Sequence, residues 1–219
     1  MLNLAPLPDW RSLLNGLLPR TIRIEELAKP WTRDKEISGW FSRSAWALAR
    51  VVLWRQRHTK SEAITIFVPS FFCNMSLAPV RALGVRLSFY PVTKDMLPDY
   101  QSLRVLAKRE APDILLLVHY FGNPSPVAPA SEFCKHFSTW LVEDAAHILR
   151  PIAGVGKHSD FVLFSLHKLL PIPDGAILVA RPDGPGKLGF AGLAGLGDPL
   201  RWHEELTSHE ILSRLPFQA

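Results

Sequence analysis

The chain has 219 residues, room for one large domain or one and a fraction, and its 47% hydrophobic and 21% charged residues exclude intrinsic disorder. Its formal charge of +5 is spread along the chain and comes with no nucleic-acid-binding module, so nucleic acid is not an expected partner. Cys73 and Cys134 give neither a disulfide framework nor a metal-ligand spacing, and no apolar run reaches the ~20 residues that span a bilayer.

Residues 1–40 read as an irregular N-terminal arm or short-helix segment that docks on something else, carrying Trp10, Trp31 and Trp40. Asp9, Arg11 and two prolines interrupt its first apolar residues, which is not a signal-peptide pattern, and the expected location is the cytoplasm. From Ser42 the spacing turns helical. In SRSAWALARVVLWRQR, residues Ala45, Leu48, Ala49, Val52 and Leu53 recur at helical spacing, with Ser42 or Ser44 near the start. ITIFVPS (64–70) is an apolar, buried strand. NMSLAPVRALG (74–84) is a helical segment that Gly84 closes and Pro79 kinks or shifts. VRLSFYPV (85–92) is a second strand, and DYQSLRVLAKREA (99–111) an amphipathic helix. ILLLVHYFG (114–122) is a strand, and SEFCKHFST (131–139) the end of a helix. Three further strands follow: WLVEDAAH (140–147), DFVLFSLH (160–167) and GAILVARP (175–182). From Asp183 a glycine-rich tail leads to a candidate last helix, RWHEELTSHEILSRL. Apolar strands alternating with helices predict an α/β fold of three layers, α/β/α, around a mostly parallel sheet. Ligands of such sheets bind outside the carboxyl ends of the strands.

Several polar residues stand at those ends. Asp144 closes an apolar strand, where a carboxylate is costly unless it meets a cation or a set of donors. It is either a cap or ion-pair partner, or the group that holds a positively charged part of a ligand. His147 either packs as a satisfied histidine or meets the same ligand. Lys168 follows a strand and precedes Leu169, Leu170 and Pro171. Apolar surroundings would desolvate it and make it a nucleophile for Schiff-base chemistry; the alternative is a lysine that snorkels to solvent. A lysine that forms an imine and an aspartate that pairs a pyridinium nitrogen are the two protein groups that pyridoxal 5'-phosphate needs as an electron sink. Ser44, with the amides of Ser44 and Ala45, opens a helix, as an N-cap or a phosphate site. In VPSFFCN, one aromatic could lie against a planar ring, or the pair could pack in the core.

In this order, FSRSAWALA, VPSFFCN, LLLVHYFGNP, VEDAAH and FSLHKLLPIPDGAILV resemble segments of the DegT/DnrJ/StrS family of pyridoxal-phosphate-dependent sugar aminotransferases, within the aspartate-aminotransferase-like fold. The resemblance runs from about Trp40 to Ala180. It implies that Lys168 is the Schiff-base lysine and that Asp144 pairs the pyridine nitrogen. It places His147 near the ring and gives the phosphate to Ser165 and the Ser44 and Ala45 amides. Phe72 is the ring-stacking candidate, with Cys73 as the other alignment of that position. The implied reaction is amino transfer to a keto sugar, nucleotide-linked, from an amino-acid donor such as glutamate, in a homodimer. No metal is implied.

The sequence departs from the family pattern in four places. The spacing from His167 to Lys168 is two residues shorter than the common form. Ser42 or Arg43 stands where a phosphate-loop glycine is usual, and Gly175-Ala176 replaces a Gly-Gly pair. The chain also stops where a C-terminal small domain should begin. The expected organisation is therefore an arm (1–40), a cofactor-binding large domain (41–182) and a tail that starts a truncated small domain (183–219). The alternative function is a truncated or diverged, non-catalytic protein of this fold that binds the cofactor or a partner chain.

Overall fold

Seven strands form one sheet in the order β1-β7-β6-β5-β4-β2-β3 in a computed structural model that describes Trp10 and residues 24–33 and 35–185. They are β1 (Ile37–Phe41), β2 (Thr65–Pro69), β3 (Arg86–Tyr90), β4 (Ile114–Val118), β5 (Trp140–Asp144), β6 (Phe161–Phe164) and β7 (Ala176–Ala180). From β3 across to β6 all pairings are parallel. β7 runs antiparallel to β6 and to β1. The fold is thus the expected α/β architecture with a mostly parallel sheet.

The strand sequences explain why the sheet is covered on both faces. β2, β4, β5, β6 and β7 are buried along their whole length. Successive residues face opposite layers. Ile66, Val68, Leu116, Val142 and Leu163 pack with α2 (Ser44–Thr59) and α3 (Ala78–Ala82). Phe67, Leu115, Leu117 and Leu141 pack with α4 (Tyr100–Arg109) and α5 (Val127–Phe137). Val162, Phe164, Ile177 and Val179 pack with Ala28 of the short helix α1 (Ile24–Ala28) and with the Ile148 to Val155 loop.

The N-terminal region has the short helix that its sequence reading allowed and a strand that it did not. It contains α1 and β1, and β1 pairs residue for residue with β7, from Ile37 opposite Ala180 to Phe41 opposite Ala176. Trp31 and Trp40 meet edge to face at 5.8 Å and pack on the third core cluster. Pro79 does shift its helix: a 3-10 turn (Asn74–Leu77) precedes it, and α3 starts with proline in its first turn. β4 stops at Val118, earlier than expected, because Tyr120–Gly122 forms a tight turn. The glycine-rich run at 188–197 and the expected helix at 201–215 lie outside the described residues. Among the described residues no helix is long and apolar enough to cross a membrane.

Candidate active site

β3 and β4 flank β2 on opposite sides, so the chain reverses its direction of travel across the sheet there. Crevices outside the carboxyl ends of strands at such a reversal are where open α/β sheets bind ligands. A cavity of about 350 Å³ lies at this place. Phe71, Phe72, Cys73 and Ser76 line it after β2, and Val118 to Phe121 after β4. Asp144, Ala146 and His147 line it after β5, and Lys168 after β6. Its size falls within the range of small-molecule sites, about 300–1,000 Å³.

Asp144 is 8% exposed. Its Oδ1 accepts the Ala146 amide at 2.9 Å, and no described group bonds its second oxygen. Burial raises its pKa above the ordinary 3.8, while Lys168, the Ala146 amide, His147 and His119 pull the other way. Sequence reasoning expected Lys168 to be enclosed by its apolar neighbours. The structure corrects this: Leu166 is buried, Leu169 and Leu170 are half-buried, and Lys168 itself is exposed at the cavity wall. The reason is the 3-10 turn Leu166–Lys168, which turns the leucine inward and the lysine outward.

His147 lies within reach of both charged groups. Its Nδ1 accepts the Phe121 amide at 3.3 Å. Partial burial and then the Lys168 charge lower its pKa below 6.5, against the opposing charge of Asp144. Phe72 lines the same cavity, as does Cys73. The Cys73 thiol is exposed, and its bonds with the Ser76 hydroxyl and amide hold its pKa below the ordinary 9.0.

The phosphate candidates converge on each other rather than on this cavity. Ser165 Oγ donates to Ser44 Oγ at 2.7 Å, across 121 residues of chain. Neither residue lines the cavity, and nor does Ala45. Neither expected serine caps α2. Arg43 takes the N-cap position without a side-chain bond, and Ser44 becomes the first helical residue. The Trp46 amide already bonds the Arg43 carbonyl, and the Ser44 and Ala45 amides, which precede the first intrahelical bond, are donors suited to an anion.

The sequence reading missed a buried pair. His119 and Glu143 are both inaccessible, and His119 Nε2 lies 2.7 Å from Glu143 Oε2. The Ser125 amide donates to His119 Nδ1 at 3.0 Å. An amide can only donate, so Nδ1 accepts and the Nε2 proton goes to Glu143. Glu143 also accepts the Gly156 amide at 2.9 Å. Arg33 binds the carbonyls of Val155 and Gly156 at 2.6 and 2.8 Å. The available signal was a second charge, Glu143, one residue inside Asp144 in a central strand buried along its whole length. Among the described residues no group of three or more His, Cys, Asp or Glu could hold a metal ion.

No protein-family model matches the chain. Serine hydroxymethyltransferases of Methanosphaera stadtmanae and Methanobrevibacter smithii are each 29% identical over 121 residues, covering 50% of this chain and 29% of theirs. Among solved structures, Helicobacter pylori PseC, an aminotransferase of pseudoaminic acid biosynthesis, superposes with TM-score 0.60 at 21% identity, covering 76% of this chain and 45% of PseC. The Escherichia coli GDP-4-keto-6-deoxy-D-mannose-3-dehydratase with bound hydrated PLP gives TM-score 0.59 at 18% identity, covering 71% and 42%. The Bacillus subtilis ureidoglycine–glyoxylate aminotransferase gives TM-score 0.58 at 15% identity, covering 87% and 48%. The chain shares the fold of these enzymes and spans less than half the length of each.

Proposed function

We propose that this chain is the cofactor-binding large domain of a pyridoxal-phosphate-dependent aminotransferase. Its substrate would be a keto sugar, nucleotide-linked, and its donor an amino acid such as glutamate. The observation that carries the reading is the joint presence of Lys168 and the buried Asp144 carboxylate in one cavity at the strand ends. The shared fold, and the PLP in the E. coli dehydratase structure, support it. A cytoplasmic homodimer belongs to the same proposal, and exposed Phe71, Met75 and Phe121 offer apolar surface for it.

The residues suit the cofactor at its ring and aldehyde ends. The second Asp144 oxygen could accept the hydrogen bond of a protonated ring nitrogen and so keep that nitrogen protonated. Lys168 Nζ would hold the aldehyde end and would carry a proton to or from the substrate carbon. Phe72 and His147, which line the cavity, would border the ring. At the phosphate end, Ser165, Ser44 and the α2 amides would be the holders. When bound, pyridoxal phosphate supplies an aldehyde that captures amines and a ring that withdraws electrons from the attached carbon.

The test is borohydride reduction of the full chain with pyridoxal phosphate, followed by peptide mapping. Covalent label on Lys168, absent from a Lys168→Ala variant that keeps its fold, is the expected result. Label elsewhere, or equal visible absorbance in the variant, would remove Lys168 from this role.

A further inference from the structure

The turn at Tyr120–Gly122 is built around His147. The Phe121 amide donates to Nδ1. The Phe121 ring lies nearly parallel to the imidazole, with centroids 6.2 Å and planes 12° apart. A Cβ on Gly122, itself at φ +84°, would stand 3.1 Å from the His147 carbonyl oxygen, so only glycine lets the turn come this close.

Phe121 reaches this position with φ +55° and ψ +24°, the left-handed region that bulky residues rarely occupy. Its ring is left 67% exposed. Glycine or asparagine would take the same backbone angles at less cost, and little burial is gained in return. Strained backbone that brings no core packing clusters at functional sites.

We propose that Phe121 is a positioning residue for His147. Its backbone caps Nδ1 and its ring lies alongside the imidazole in a near-parallel plane, so that Nε2–H is the proton His147 has to offer the occupant of the cavity. The amide forces Nδ1 to accept, which leaves the proton of a neutral imidazole on Nε2. The role of that occupant rests on the function proposed above; the arrangement of His147 does not.

The experiment compares the full chain with Phe121→Gly and Phe121→Tyr, each carrying isotope-labelled histidine. Without cofactor, at slightly alkaline pH, nitrogen NMR should show His147 as a single Nε2–H tautomer in the parent and in Phe121→Tyr. Phe121→Gly keeps the backbone amide and should keep that tautomer, with a thermal midpoint no lower than the parent, because glycine takes the left-handed angles without the side-chain cost. In a spectrophotometric titration with pyridoxal phosphate, Phe121→Gly should bind about tenfold more weakly, and Phe121→Tyr should match the parent. An Nδ1–H tautomer in the parent, or a Phe121→Gly variant with the parent's affinity, would overturn the proposal. A Phe121→Gly variant less stable than the parent would overturn the strain argument on which it stands. Failure of the parent to bind pyridoxal phosphate counts against the proposed function, and the tautomer measurement still decides the role of Phe121.

Discussion

Asp144 is held where a carboxylate is least welcome. Burial raises its pKa, and the Lys168 charge and one backbone amide offset that only in part. A folded-state pKa above the ordinary 3.8 means that the folded chain binds the Asp144 proton more tightly than the unfolded chain does. The stability this gives is fully present below 3.8 and is lost as pH rises through the folded value. At neutral pH, Asp144 therefore destabilises the cofactor-free protein. Asp144→Asn keeps an oxygen for the Ala146 amide and removes the charge. It should stabilise the cofactor-free chain at neutral pH by about 0.5–2 kcal/mol. It should also flatten the acid limb of the stability curve and, on the function proposed above, cut amino transfer by orders of magnitude. Denaturation of parent and variant across pH checks the first two outcomes. A variant less stable at neutral pH would show that the carboxylate has a compensating partner in the fold.

The same economy appears at the level of single elements. Helix α2 starts without a side-chain cap, so its stability rests on packing. Ala47, Leu48, Ala49, Val51 and Val52 are all at most 2% exposed. Leu48→Ala should cost about 2–5 kcal/mol in urea denaturation. A cost below roughly 1 kcal/mol would mean that the helix collapses into the space at little expense. Elements of this kind were legible in the sequence, because a run such as Ile114–Val118 can only be a strand buried on both faces. β1 was not legible. ISGWF is half-buried and interrupted by serine and glycine, and only its pairing with β7 makes it a strand. The five-residue α1 is too short for helical periodicity to show. In the site, Asp144, His147 and Lys168 stood out as polar groups at strand ends. His119 and Glu143 could not be paired without knowing that β4 and β5 are neighbours, with Leu117 opposite Glu143. The role of Phe121 depends on one backbone angle that composition does not encode.

At the scale of the whole molecule, that buried pair joins distant parts of the chain. Arg33 grips the 155–156 carbonyls, the Gly156 amide meets Glu143, and Glu143 holds His119 at the cavity wall. Gly156 sits at φ +72°, and a Cβ there would come within 3.1 Å of Arg33 and of Val162. Glu143→Ala would leave the His119 and Gly156 donors buried without an acceptor. It should cost about 3–5 kcal/mol, measured by denaturant titration. A cost below about 1 kcal/mol would show that water replaces the carboxylate. The edge of the sheet has a consequence in time. β1 emerges early during synthesis, yet its sheet partner β7 is the last strand described. At ribosomal speeds, β1 waits on the order of ten seconds for that partner. For that interval its half-apolar edge is open to any other strand, so β1 needs protection until nearly all of the sheet has been made.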